Sequence, residues 1–264
     1  QIMKRVNVGF IGYGNMAKAI AASFSSCGKT DGIRAYDVSS SAPDGNAEMC
    51  ASASELVSRS DVVFLSVKPQ SAADALSGLD FSGKIVVSIM AGTNIAKLRS
   101  LCKGAEKIVR VMPNLCARVG KSVNAYCPVG LDEEETKLAE DLLSCFGLAE
   151  KFDESYFDVI TGLTGSSPAY TFRYARALTE CGVRNGMTFE QARDMSLYCV
   201  SACMDMLSSA SSLDEMQTMI NNVCSKGGTT IEGIYALDKG NFDELVISAV
   251  NAAISRSREL SSGK

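Results

Sequence analysis

Short apolar runs alternate with amphipathic stretches through the first half of the chain. The runs at residues 5–11, 33–37, 61–67, 84–89 and 107–112 read as strands. The third (Asp-Val-Val-Phe-Leu-Ser-Val) is almost continuously apolar, as befits a strand covered on both faces. Helical patterning fills the gaps at 15–26, 54–60, 71–79 and 94–101. Such alternation predicts a doubly wound parallel sheet with helices on both faces. Residues 125–129 extend the sheet. A helix over 132–146 is signalled by Asp132 as N-cap and Glu135 at the capping-box position, and a short strand near 150–152 closes this half.

Beyond residue 154 the period-two signals vanish. Helical runs are predicted at 156–162, 169–181, 189–209, 213–222, 230–238 and 242–260, with Thr188 and Gln191 forming a second capping-box pair. The pattern therefore predicts an α/β domain over residues 1–154 and an all-helical domain over 155–264. No internal repeat is visible, and the serine-rich stretch 39–45 reads as a mobile loop. Lys4 and Arg5 before an apolar run imitate the start of a signal peptide. Asn7, Asn15, Lys18 and the recurring glycines break that imitation, and Met3 reads as the natural start. No stretch approaches the roughly 18 apolar residues of a membrane helix, so no membrane partner is expected.

Composition narrows the chemistry. The 264 residues carry a net charge of −4, 46% apolar side chains, ten cysteines and no histidine. The acidic balance argues against a nucleic-acid partner. Without histidine there is no Ser-His-Asp or Cys-His machinery and no His-ligated zinc, and no metal site is expected. The cysteines are scattered, without a Cys-x-x-Cys pair, and read as mostly buried thiols of a cytoplasmic protein.

The strongest local motif is Gly12-Tyr13-Gly14-Asn15-Met16-Ala17, a G-x-G-x-x-A between a predicted strand and a predicted helix. Gly12 allows the tight turn, Gly14 lets a pyrophosphate approach the backbone, and Ala17 permits close helix–strand packing. The helix N-terminus offers N–H groups and a positive dipole end to phosphates. Asp37 follows twenty positions on, at the end of the second strand, which completes the context of a Rossmann dinucleotide fingerprint. Asp37 points to the ribose hydroxyls of NADH, whereas Ser39, Ser40 and Ser41 are open to two readings, a hold on the 2′-phosphate of NADPH or a plain solvated loop. Further candidates stand where other strands end: Lys68 and Pro69, Ala91 and Gly92, and Asn114 after Pro113.

In the helical half, the clusters 161–170 and 225–230 each combine glycines and hydroxyls ahead of a helix. Both are suited to holding a small carboxylate, or to plain helix capping. A nicotinamide cofactor implies hydride transfer. Ketone reduction needs a general acid; there is no histidine, and no lysine occurs between Lys151 and Lys226. A cyclic imine arrives protonated, so its reduction asks for orientation more than for an acid.

These residues resemble the pyrroline-5-carboxylate reductase family nearly end to end. The resemblance rests on the stretch from Gly9 to Ala17, Val67-Lys68-Pro69, Ser88 to Gly92, Arg110 to Asn114, Thr161-Gly162-Leu163 with Pro168-Ala169-Tyr170, and Gly227-Gly228-Thr229-Thr230. It implies a Rossmann domain, a helical dimerisation domain, and NAD(P)H-dependent reduction of 1-pyrroline-5-carboxylate to L-proline, the last step of proline biosynthesis. By position, Ile11, Gly12, Tyr13, Gly14, Asn15, Met16, Asp37, Val67, Lys68, Pro69, Met90 and Ala91 would line the cofactor. Ser225, Gly228, Thr229 and Thr230 would hold the substrate carboxylate, with the Thr230 hydroxyl near the ring nitrogen as its catalytic partner. The family implies homodimers, built into decamers in some members. Two departures stand out: Ser167 where glycine is common, which would crowd the pocket or alter the backbone angle, and Leu115-Cys116 after Pro113-Asn114. They leave open a reductase of a different imine on the same scaffold. A noncatalytic dinucleotide-binding protein is the third reading.

Overall fold

A computed structural model describes residues 5–39 and 45–262. Its chain forms two compact units, one of residues 1–166 with 253–264 and one of residues 167–252. The first unit thus takes in residues 155–166 and the end of the last helix, beyond a division at 154.

The first unit is built on eight strands: β1 (Val6–Ile11), β2 (Thr30–Tyr36), β3 (Glu48–Met49), β4 (Val62–Leu65), β5 (Ile85–Ser88), β6 (Lys107–Met112), β7 (Ser122–Val129) and β8 (Gly147–Lys151). They pair in the order β3-β2-β1-β4-β5-β6-β7-β8. β4 and β5 are buried at every position, which is why their sequences are apolar runs rather than alternations. One face packs Phe10, Phe24, Phe64 and Phe146 beneath α1 (Asn15–Cys27) and α5 (Glu133–Leu143). The other packs Leu56, Leu76, Leu98 and Phe81 beneath α2 (Ala53–Ser58), α3 (Ala72–Leu76) and α4 (Ile95–Leu101).

The sheet departs from the expected all-parallel form at one pair, because β6 and β7 run antiparallel. Only the 3₁₀ turn Leu115–Val119 lies between them. A parallel return would need a crossover of about a dozen residues or more, and none is present. β7 and β8 are parallel again because α5 supplies that crossover. The two-residue β3 was not expected; it is too short to carry a periodic signal.

Asp132 caps α5 as anticipated: its side chain accepts from the Glu135 N–H while Glu135 reaches back to the Asp132 N–H. Past β8 the chain passes through a 3₁₀ turn (Glu154–Tyr156), α6 (Phe157–Ile160) and a π-helical turn (Thr161–Gly165). The remaining helices are α7 (Ser167–Arg184), α8 (Phe189–Leu207), α9 (Leu213–Asn222), α10 (Thr229–Lys239) and α11 (Phe242–Ser261). The Thr188–Gln191 capping box opens α8. Within the first unit, Ser257 and Ser261 of α11 donate to the Asp158 carboxylate at 2.6 and 3.3 Å.

Ser167 opens α7 in ordinary helical conformation, and among the described residues only Asn241 is a non-glycine with positive φ. The side chain at 167 therefore demands no unusual backbone angle. The expectation of mostly buried cysteines is not met. Only Cys50 and Cys102 are buried, and Cys181, Cys199 and Cys203 are exposed. The exposed three lie on α7 and α8, which carry few buried residues in the single chain.

Candidate active site

The order of the sheet places β1 between β2 and β4, so the connections leave β1 and β4 in opposite directions along the sheet. Ligands of open α/β sheets bind in the crevice at the carboxyl ends of strands where the order reverses in this way. The G-x-G-x-x-A turn lies there, between β1 and α1.

Gly12 has φ of +87°, and its N–H donates to the Tyr36 carbonyl at 2.8 Å. A Cβ at this position would lie 2.8 Å from the backbone of Ser66 and Val67, after β4. Conformation and close approach both require glycine. Gly14 is different. It is the N-cap of α1 with extended backbone, and a Cβ there would meet nothing within 4 Å. No side chain caps α1, so its first turn is left for another acceptor. Ala17 is fully buried, as close helix–strand packing needs. An open space over Gly14, at an uncapped helix N-terminus on the switch point, fits a dinucleotide pyrophosphate.

Asp37, directly after β2, is turned towards the same turn. One carboxylate oxygen accepts the Tyr13 N–H at 2.7 Å; the other accepts the Ser39 N–H at 2.8 Å and the Ser39 hydroxyl at 2.7 Å. Partial burial raises the carboxyl pKa, but these hydrogen bonds and the nearby Lys18 charge outweigh it and hold it below the usual carboxylate range. Asp37 thus braces the glycine turn. Ser40 and Ser41, the other candidates for a 2′-phosphate, lie outside the described residues.

The remaining cofactor candidates gather at the same end of the sheet. Ile11 is buried at the end of β1, and the Tyr13 ring is in the core beside Phe10. Asn15 and Met16 form the first turn of α1. Val67, Lys68 and Pro69 follow β4, with Lys68 exposed as the N-cap of a 3₁₀ turn. Met90, buried, and Ala91, exposed, follow β5. Asn114 has a structural task. Its side chain accepts the Cys116 N–H at 3.1 Å and donates to the Thr164 carbonyl at 3.1 Å, tying the end of β6 to the π-helical turn.

Of the two glycine-hydroxyl clusters, only the second precedes a helix as an open turn. In the first, the Ser166 N–H already donates to the Thr161 carbonyl at 3.0 Å within continuous helical structure. In the second, Gly227 has φ of +71°, Gly228 is the N-cap of α10, and no side chain caps that helix. The Gly228 N–H donates to the Ser225 carbonyl at 3.0 Å, folding Ser225, Thr229 and Thr230 into one turn. Thr230 is exposed in the second helix position. Ser225–Thr230 belong to the second unit and the dinucleotide candidates to the first.

Sequence reasoning did not single out the pair between Arg110 and Glu154. Arg110, buried on β6, donates to Glu154 at 2.8 Å, and its guanidinium lies 4.4 Å from the centre of the Phe157 ring. Glu154 also accepts the Ile95 N–H at 2.7 Å at the start of α4. An arginine between the apolar pairs Ile108-Val109 and Val111-Met112 was the available signal.

Residues 154–260 match the family described as pyrroline-5-carboxylate reductase dimerisation, and residues 7–92 match that described as NADP oxidoreductase coenzyme F420-dependent. The chain is 36% identical to the pyrroline-5-carboxylate reductase of Aquifex aeolicus, over 98% of this chain and 99% of that one. It is 35% identical to that of Arabidopsis thaliana, over 96% and 95%. The crystal structure of Plasmodium falciparum pyrroline carboxylate reductase with NADP bound superimposes with a TM-score of 0.91 at 28% identity, covering 98% of this chain and 99% of that one. Likeness of this extent reaches through both units, and the chain belongs to the pyrroline-5-carboxylate reductase family.

Proposed function

We propose that this protein reduces 1-pyrroline-5-carboxylate to L-proline with NAD(P)H. The observation that carries the reading is the turn from Gly12 to Ala17, with its open space over Gly14 at the uncapped start of α1. When bound, the nicotinamide supplies the hydride. The chain's part is to bind and orient. Gly12, Gly14 and the first turn of α1 receive the pyrophosphate, and Asp37 fixes the turn that presents it. Ile11, Tyr13, Asn15, Met16, Val67, Lys68, Pro69, Met90 and Ala91 complete the cofactor site, with the Lys68 ammonium suited to a phosphate or ribose.

Ser225, Gly228, Thr229 and Thr230 hold the substrate carboxylate at the start of α10, where N–H groups and the helix dipole favour an anion. The Thr230 hydroxyl hydrogen-bonds the ring nitrogen and keeps the imine oriented for hydride transfer. The protein works as a cytoplasmic homodimer joined through its helical unit. The family match over 154–260 supports the dimer, as do the exposed Met195, Tyr198 and Leu245 of α8 and α11. Further assembly of such dimers into a decamer is distinguished by light scattering. Among the described residues, no helix is long and apolar enough to cross a membrane.

The test is oxidation of NADPH and of NADH by the purified protein with 1-pyrroline-5-carboxylate, in separate runs. Turnover with either is expected. A folded protein that turns over only a different imine, or that binds NADPH without turning over any, contradicts the proposal. In the same assay Thr230→Ala should raise the substrate KM or lower kcat by about tenfold, the scale of one lost hydrogen bond, with near-normal NADPH affinity. Unchanged kinetics would remove Thr230 from the mechanism.

A further inference from the structure

Cys27 ends α1 and Cys145 lies in the 3₁₀ turn Ser144–Phe146 that follows α5, 118 positions along the chain. Their sulfurs are 2.7 Å apart, inside the contact distance of two unbonded sulfurs. The approach is held by packing. Phe24, one turn before Cys27, meets Phe146, the neighbour of Cys145, edge to face with ring centres 6.1 Å apart, and both rings are fully buried. Lys29 adds a second tie by donating to the Asp141 carbonyl at 3.3 Å. Both thiols are half-buried and line a surface cleft of about 470 Å³, together with Ser23, Ser26 and Arg118. A small oxidant can therefore reach them without unfolding.

We propose that Cys27 and Cys145 form a reversible disulfide that consumes hydroperoxides. Burial first, and then the neighbouring Cys27 thiol, push the Cys145 thiol up to about 12. In the proposed order Cys27 reacts first, and the Cys145→Ser variant tests that order. The Cys27 sulfur attacks one peroxide oxygen and breaks the O–O bond. The other oxygen departs as an alcohol, or as water from hydrogen peroxide, taking up the thiol proton and leaving Cys27 as a sulfenic acid. The Cys145 sulfur then displaces hydroxide from the Cys27 sulfur, the S–S bond forms, and the second thiol proton leaves in water. Two thiols lose two electrons in all, and one hydroperoxide gains them. A dithiol reverses the bond by two exchange steps.

The sequence makes the test clean, because trypsin releases Cys27 in peptide 19–29 and Cys145 in peptide 138–151, each with a single cysteine. The intact, fully reduced protein is treated with hydrogen peroxide at near-stoichiometric ratio, alkylated, digested without reductant and analysed by mass spectrometry. The expected result is a cross-linked pair of these two peptides as the first disulfide formed, lost again with dithiothreitol. Cys145→Ser should leave Cys27 as a sulfenic acid trapped by a 1,3-diketone reagent. Full alkylation of Cys27 and Cys145 after any other cysteine of the protein has been oxidised would overturn the proposal. So would a first bond between any other pair in the wild-type protein.

Discussion

Gly12 and Gly14 sit two positions apart in one motif, and the structure separates their tasks. Gly12 is required by the fold: positive φ and backbone 2.8 Å from any Cβ leave no room for alanine. Gly14 has extended backbone that alanine adopts freely and open space above it, so the task proposed for it is to leave room for the cofactor. Gly12→Ala should therefore destabilise the protein by about 1–3 kcal/mol or more, read as a lowered urea midpoint. Gly14→Ala should unfold within about 0.5 kcal/mol of wild type yet bind NADPH at least about tenfold more weakly in a fluorescence titration. The reverse assignment would show that the open space over Gly14 is not where the cofactor lies.

Asp37 makes a pH prediction at the same scale. Its folded pKa is depressed, so its contribution to stability is present above the unfolded value, about 3.9 for an ordinary aspartate. That contribution is lost as pH falls through the lower folded value. Asp37→Asn should be less stable than wild type at neutral pH, and the gap should narrow below about pH 4. Denaturant melts at a series of pH values read this directly; a gap constant with pH would mean the carboxylate charge contributes nothing.

The element scale shows what periodicity carries. Largely apolar runs located β4, β5 and β6, and the capping boxes at Asp132–Glu135 and Thr188–Gln191 located α5 and α8. Each is a local signal that tertiary structure does not override. The reversal of β7 was not legible, because β6–β7 pairing depends on connection length rather than on either strand's own pattern. The 161–170 cluster suits an open cap, but its first half, Thr161–Gly165, is a π-helical turn that leads into α7. Glycines and hydroxyls suit both, and only the hydrogen bond from Ser166 to Thr161 decides. Because the α5 cap is exposed and reciprocal, Asp132→Ala should cost about 1 kcal/mol without changing NADPH affinity. A shift in urea midpoint at constant slope would measure it; no shift would mean the cap is redundant.

At the scale of the whole molecule, the residues of the proposed dinucleotide site could be picked out because they follow one another along the chain or end neighbouring strands. Less legible were the ties that join distant segments: Arg110 to Glu154, Ser257 to Asp158, and Cys27 to Cys145. Their partners lie tens of residues apart, and only folding brings them together. Family likeness over nearly the full chain supplies the substrate, and the glycine turn is the proposed place for the cofactor. The central claim is hydride transfer to a cyclic imine. It is tested most directly by incubating the protein with 1-pyrroline-5-carboxylate and nicotinamide cofactor deuterated at the transferring carbon, using each stereoisomer in turn. Proline carrying one deuterium on the ring carbon that was the imine carbon, from one stereoisomer alone, is the predicted result. Proline without the label, or no proline from a folded protein that binds the cofactor, would contradict it.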